Sequence, residues 1–277
     1  MKSRQWYPGN MARTMGGIAA DIKLVDLVLE LVDARIPASS RNPFLSRLAG
    51  TRKKLILLHK ADRAEPELTA RWLSYFQRQG YQALPFSAVK RCAAQTLLQY
   101  LRRLESTAPP SRLKKPLRLM VAGIPNVGKS TLINLLVRRA AARTGNQAGI
   151  TRGRQWIRLL PGIELLDTPG VLPPRLNGQT VLPLAAVGAL PPGRLDISET
   201  ALWLLKSYRE RGREEGLLAR YDIRQWSEPE LILEQIGAAQ GCLKAAGEID
   251  LERAAALLLR DFQNGTLGRI TLEEPPE

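Results

Sequence analysis

Residues Leu117–Ile133, LRLMVAGIPNVGKSTLI, decide how the rest of the chain is read. Leu117, Leu119, Met120, Val121 and Ala122 form a short apolar run of strand length. It leads directly into Gly123-Ile124-Pro125-Asn126-Val127-Gly128-Lys129-Ser130, which fits G-x-x-x-x-G-K-[ST] at every position. Small residues let such a loop wrap tightly, so that backbone N–H groups converge on phosphate oxygens in front of the positive end of the next helix. Val127, Gly128 and Thr131 belong to that cradle. Lys129 is placed to meet the β- and γ-phosphates, and the Ser130 hydroxyl to ligate Mg²⁺, a hard cation that takes oxygen ligands.

Working outward, the chain has 277 residues and 44% hydrophobic composition, enough for one large domain and a smaller one with a true core. Cys92 and Cys242 stand far apart without C-x-x-C spacing, and His59 is the single histidine, so neither a disulfide framework nor a Cys/His metal site is indicated. No apolar run has the length of a membrane span, since Asp26 and Glu30 interrupt Leu24–Val32. The start, Met1-Lys2-Ser3-Arg4-Gln5-Trp6, lacks a signal-peptide core, and a cytoplasmic protein is expected. The net charge of +15 is unevenly spread: +10 over residues 1–110, +10 over 111–180 and −5 over 181–277. That excess is more than one triphosphate requires, so the expected partner is a larger polyanion.

Before the phosphate loop, strand patterns at Leu24–Asp33, Lys54–Leu58 and Ala83–Phe86 alternate with helical patterns at Phe44–Leu48, Pro66–Arg78 and Gln95–Leu104. After it come a helix to Ala142, a glycine-rich loop Arg143–Arg154, strands Gln155–Leu160 and Ile163–Leu166, and a second loop, Val171–Thr180, expected to be mobile. Helices then dominate, at Ser198–Arg211, Glu228–Ala239 and Leu251–Asn264. The expected fold class is α/β: a mostly parallel sheet with helices on both faces over residues 1–180, followed by an all-helical domain over 181–277.

Further motifs supply the chemistry. Asp167-Thr168-Pro169-Gly170 ends a strand downstream of the phosphate loop, where a phosphate-loop nucleoside triphosphatase keeps an Mg²⁺-holding carboxylate and a glycine N–H for the γ-phosphate. Thr151, in the loop between them, suits a switch residue that ligates Mg²⁺ and is released after hydrolysis. His59-Lys60-Ala61-Asp62 is similar to the guanine-reading N-K-x-D element, whose aspartate accepts from the guanine N1–H and 2-amino groups. Adenine offers no such pair of donors, which makes Asp62 the residue that decides base specificity. Ser87-Ala88 is similar to the S-A element whose backbone meets the guanine oxygen.

The base-reading elements precede the phosphate loop, a permuted order. That order, with W-Y-P-G-N-M at 6–11, L-V-D-A-R-I-P-A-S-S-R-N-P at 31–43, G-I-T at 149–151, L-L-D-T-P-G at 165–170, G-C-L-K-A-A-G-E-I-D at 241–250 and L-G-R-I-T-L-E at 267–273, resembles the YlqF/RbgA family of circularly permuted GTPases. The resemblance runs over nearly the whole chain. It implies a GTP-dependent factor in late assembly of the large ribosomal subunit, with a helical C-terminal domain that contacts ribosomal RNA. Asn126 matches the asparagine that ligates K⁺ in potassium-dependent relatives, so GTP or GDP, Mg²⁺ and K⁺ are the expected ligands. Ribosomal RNA is the expected partner of a monomer with no membrane or DNA role, in a bacterial cytoplasm or an organelle.

Two positions depart from the family pattern, and a third lacks the glutamine found in many GTPases. His59 stands where asparagine is usual, and its ring N–H is able to donate to guanine N7. Asn10 replaces the histidine of P-G-H-M, and Val171 follows D-T-P-G, so no glutamine or histidine is placed to orient the attacking water. Hydrolysis is therefore expected to be slow without the ribosome, with Lys129, Thr151 and Asn10 carrying what catalysis there is. Two other classes match parts of the pattern: a nucleotide-gated RNA-binding scaffold with negligible hydrolysis, and a phosphate-loop ATPase or metabolic enzyme. RNA contacts are expected from the basic first two-thirds, Arg152, Arg154 and Arg158 included, with a local basic face of Lys206, Arg209, Arg213 and Arg220 in the helical part.

Overall fold

Apolar runs cut by polar turns build one sheet. A computed structural model describes residues 16–90, 92–107, 115–144, 156–172, 176, 178–191, 193, 195–245 and 247–277. Strands β1 (Leu27–Asp33), β2 (Lys53–His59), β3 (Gln82–Phe86), β4 (Leu117–Gly123), β5 (Trp156–Leu160) and β6 (Ile163–Leu166) lie in the order β3-β2-β1-β4-β6-β5. All neighbours pair in parallel except β5, which turns back antiparallel on β6. Every residue of β1 is buried, as are the last five of β4. These two central strands are covered on both faces, which is why they read as unbroken apolar runs and not as alternation.

Helices α1 (Pro43–Ala49), α2 (Pro66–Arg78), α3 (Ala93–Ser106) and α4 (Lys129–Thr144) connect the strands. Their starts follow local chemistry. Asn42 caps α1 by accepting from the Phe44 N–H at 3.1 Å, with Pro43 at the first helical position, where no N–H is needed. Thr69, Trp72 and Phe76 form the buried stripe of α2, spaced at three and four residues.

Beyond the sheet come α5 (Gly178–Ala186), α6 (Ile197–Glu210), α7 (Glu214–Tyr221), α8 (Pro229–Ala239) and α9 (Leu251–Asn264). Two of these, α5 and α7, have no counterpart in the sequence reading. Pro183 inside α5 argues against a helix locally, yet Pro183, Leu184 and Ala186 are buried, so packing overrides propensity. The loop expected to be mobile over 171–180 is likewise corrected. Val171, Leu172 and Leu176 are buried in the apolar clusters, and α5 already begins at Gly178.

The expected division after residue 180 falls within α5. The main apolar cluster runs without a break from Leu29 and Val121 of the sheet through Leu184 to Tyr208, Leu258 and Phe262. The chain end then returns as a strap. Ile270 N–H donates to the Arg63 carbonyl at 3.1 Å and Leu272 N–H to the Arg35 carbonyl at 2.7 Å. Thr271 and Glu65 exchange bonds, the hydroxyl accepting from the Glu65 N–H and the carboxylate from the Thr271 N–H, both at 3.1 Å. Trp72 Nε1–H donates to the Glu273 carbonyl at 3.0 Å, while the Glu273 carboxylate accepts from the N–H groups of Ala38 and Ser39.

Arg35 joins the two parts electrostatically. At 1% exposure it grips Asp33 through Nε at 2.9 Å and Nη2 at 2.8 Å, donates from Nη1 to the Phe262 carbonyl at 2.9 Å, and stacks 4.6 Å from the Phe262 ring centre. Burial alone would raise the Asp33 carboxyl, but the Arg35 and Lys60 charges outweigh it and hold it well below the usual carboxylate range. Arg35→Met is expected to cost about 3 kcal/mol at pH 7, measured by urea denaturation, because it removes one partner of a buried pair. A depressed carboxylate stabilises the fold above the unfolded value near 4 and loses that contribution as pH falls below it. The gap between parent and variant is therefore expected to narrow below about pH 4.

Candidate nucleotide site

The phosphate loop follows β4 with two backbone positions that demand special residues. Asn126 has φ 56°, the left-handed region that asparagine tolerates, and Gly128 has φ 110°. A Cβ on Gly128 would lie 2.5 Å from His59 Cε1, so the loop closes directly against the histidine ring. Lys129, 8% exposed, donates to the Ile124 carbonyl at 2.9 Å and the Gly123 carbonyl at 3.4 Å. Burial pushes its pKa down to about 8 against the opposing pull of Asp167. Ser130 and Thr131 are exposed in the first turn of α4, and Asp167 is half-buried just past β6.

The D-T-P-G segment lies against this loop. A Cβ on Gly170 would meet Lys129 Nζ at 2.7 Å and Pro125 Cα at 2.8 Å, so only glycine permits the approach. Thr168 Oγ1–H donates to the Val121 carbonyl at 2.5 Å and Val171 N–H to the Gly123 carbonyl at 3.2 Å, which fastens the segment to β4. The Val171 side chain is fully buried beside Ile18, Val28 and Ala122, where it has no part in positioning water.

The base-reading elements meet the same loop from β2 and β3. His59, the last residue of β2, stacks on Phe86 of β3 at 5.7 Å between centroids, and neither ring nitrogen makes a hydrogen bond. Burial, then the Lys60 charge, pushes its pKa down to about 4, so the ring is neutral near pH 7. Ser87 is buried, its hydroxyl without a partner, and Ala88 is half-buried beside it. Asp62 is half-buried, 3.7 Å from Arg63 Nε. Buried polar atoms lacking partners are costly in a finished core, but in a cleft they are what a polar ligand satisfies. The heteroatom edge of a purine fits this set, and the glycine-lined loop fits its phosphates. The hydroxyl of Ser130 and the carboxylate of Asp167 are hard oxygen donors, as Mg²⁺ requires.

Lys60 links the elements. At φ 59° its chain reverses, and Nζ spans from Asp33 Oδ2 at 3.0 Å to the Asn126 carbonyl at 3.3 Å. The roles of Asp33 and Arg35 were missed from sequence. The available signal was an acid closing an apolar strand with an arginine two residues on. Asn126 Nδ2–H donates to the Gly188 carbonyl at 2.6 Å, tying the phosphate loop to the turn after α5, and Asn42 Nδ2–H donates to the Val171 carbonyl at 3.2 Å. The expected basic face of the helical part is largely neutralised. Arg209 pairs with Glu214 at 2.5 Å, Arg213 with Glu65 and Arg220 with Asp261 at 3.0 Å, which leaves Lys206 exposed. Asn10, Thr151, Arg152 and Arg154 lie outside the described residues, and Arg158 is exposed on β5.

Residues 118–221 match a family model described as a 50S ribosome-binding GTPase. Over 99% of its length the chain is 37% identical to ribosome biogenesis GTPase A of Bacillus cereus, of which it covers 94%. Among solved structures it resembles YlqF of T. maritima in a GNP-bound form, with a TM-score of 0.68 and 28% identity over 96% of this chain and 99% of that one. A GDP-bound YlqF superposes with a TM-score of 0.65 and 27% identity over 94% of this chain and 100% of that one. The permuted order of the site, its geometry and these matches agree: the chain belongs to the ribosome biogenesis GTPase A family of circularly permuted GTPases.

Proposed function

We propose that the protein is a GTP-hydrolysing assembly factor that acts on the large ribosomal subunit and binds its RNA. The observation that carries this reading is the convergence of His59 and Lys60 on Gly128 and Asn126. A guanine-type base reader encoded before the phosphate loop touches it in space. In this reading Asp62 accepts from the two guanine donors, the neutral His59 ring donates to N7, and the backbone of Ser87-Ala88 meets the guanine oxygen. The loop Asn126–Thr131 cradles the phosphates, and the Gly170 N–H meets the γ-phosphate. Ser130, Asp167 and Thr151 would hold Mg²⁺, which would neutralise phosphate charge. The Asn126 Oδ1 would be the oxygen left to hold K⁺, which would add to that neutralisation, since the Nδ2 of that side chain is used on Gly188.

Lys129 is the chain's own positive charge for the transition state. Its bonds to the carbonyls of Gly123 and Ile124 set its position, and exchanging them for phosphate oxygens favours the charged amine. Attack by water on the γ-phosphorus breaks the bond to the bridging oxygen and yields GDP and phosphate. With Val171 buried, the orientation of that water falls to Asn10, whose amide, unlike histidine, does not act as a base near neutral pH. Hydrolysis is then slow until RNA contacts complete the site, which couples turnover to a correctly built particle. The basic first two-thirds of the chain supplies most of the RNA contacts, and the work is done wherever ribosomes are assembled.

Asp62→Asn is expected to move preference from GTP to xanthosine triphosphate by about a hundredfold or more in competition binding, since a site built for a donor pair rejects bases that lack it. A parent that binds ATP as well as GTP would overturn the base assignment. Asn10→His is expected to raise the basal rate in single-turnover assays, and Asn126→Ala to abolish any difference between K⁺ and Na⁺. A parent already fast in Na⁺ without subunits would overturn the water-positioning argument.

A further inference from the structure

The five parallel strands begin at one end of the sheet, and α1 to α4 descend to that same end, so the topology collects strand starts and helix ends at one pole. The nucleotide-site residues sit at the other end: His59 closes β2, Phe86 closes β3 and Gly123 closes β4. The helical part and the C-terminal strap pack there too, through Arg35, Arg63 and Glu65. Among the described residues no helix packs over the first pole, and it is basic. Lys23 precedes β1, Lys53 opens β2, Arg78 ends α2, Arg102 and Arg103 lie near the end of α3, and Lys115 precedes β4; all six are exposed.

None of these six has an ion-pair partner among the described residues. Arg47, near the end of α1, is exposed at the same pole. Acids there are few. Asp26 accepts from the Arg118 N–H at 2.9 Å, Glu164 pairs with Arg118 at 3.1 Å, and Glu105 stands over Gly162. Helix dipoles account for part of the excess, because a cation near a helix C-terminus is favourable. They account for Lys23, in the last turn of the short helix before β1, but not for Lys53 and Lys115, which stand at strand starts, where a sheet carries little net dipole.

Five gaps of about 4.8 Å make the sheet edge about 24 Å wide, comparable with the width of a nucleic-acid helix. Among the described residues Leu24, 40% exposed, is the one large exposed hydrophobic residue near this pole, too little for membrane insertion or for the apolar centre of a protein interface. We propose that this pole docks on the phosphate backbone of an RNA helix. The particle is then held at one end of the sheet while the nucleotide is turned over at the other. The proposal rests on the reading of the chain as a ribosomal factor and adds the face by which it holds RNA. Contacts to phosphate position a protein without reading sequence, so the docking is expected to depend on helix geometry and salt.

The test compares the full chain with Lys53→Gln/Arg78→Gln/Arg102→Gln/Arg103→Gln and with a control set on the helical part, Arg224→Gln/Lys244→Gln/Arg253→Gln/Arg260→Gln. Binding to a generic RNA duplex is measured over a salt series, with the affinity for a fluorescent GTP analogue as the check on folding. Each lost phosphate contact removes roughly 0.9 from the slope of log K against log salt, so the pole variant is expected to lose about three and a half and the control less than one. A Lys23→Gln/Lys115→Gln pair, expected to lose nearly two, carries the test if the quadruple variant binds the GTP analogue poorly. Pole variants with the parent's slope, or a control that loses as much, would overturn the proposal. Co-sedimentation with large and small subunits separates the two readings. A parent that prefers neither subunit contradicts the functional reading, whereas pole variants that hold large subunits as tightly as the parent contradict the docking face alone.

Discussion

The structure turns on one buried charge. Asp33, fully buried at the end of the central strand, is neutralised by Arg35 and Lys60, and each cation reaches further than the pair itself. Arg35 continues to the Phe262 carbonyl in the last helix, and Lys60 continues to the Asn126 carbonyl in the phosphate loop. An uncompensated carboxylate in that position would be prohibitive, so the three groups constrain one another's places. Helical region, base-reading loop and phosphate loop are thereby tied to the same carboxylate.

That arrangement gives a physical route between nucleotide and helices. The phosphate loop is tied to the helical part twice, through Lys60–Asp33–Arg35 and through Asn126 to the turn at Gly188, where Gln263 also donates to the Ala186 carbonyl at 2.9 Å. The base-reading loop is tied through Arg63, whose carbonyl accepts from Ile270 and whose guanidinium donates to the Gln263 carbonyl. A ligand that moves either loop changes bonds made to the last helix and the strap. The groups shared along these links are the Asp33 carboxylate and the backbone carbonyls of Asn126, Gly188 and Phe262.

His59 shows how a departure from a motif is absorbed. An imidazole is larger than an amide, and the structure makes room for it by stacking the ring on Phe86 and by leaving no Cβ on Gly128 beside Cε1. Burial keeps the ring neutral, which leaves one N–H donor for a base. Val171 shows the opposite case, in which a site position has become core: its side chain belongs to the cluster beneath β1 and β4, and only its backbone still serves the D-T-P-G segment.

Much was legible in the residues themselves. The strands of the sheet, the helices at Pro66–Arg78 and Leu251–Asn264, the phosphate loop and the permuted order of base reader and phosphate loop all rest on local signals: apolar period, glycine at positions of unusual φ, and a proline or asparagine at a helix start. What the local signals did not contain was decided by packing. Pro183 hides α5, which forms because Pro183, Leu184 and Ala186 are buried, and the stretch from Val171 reads as a loop although three of its apolar side chains enter the core. The boundary after residue 180 followed a change in composition, but the core crosses it because helical and sheet residues bury one another. The expected basic face was lost in the same way. Charges on Arg209, Arg213 and Arg220 are visible in the sequence, while the carboxylates that neutralise two of them lie 148 and 41 residues away along the chain. Pairing over such separations depends on where the backbone goes, and that only the tertiary structure decides.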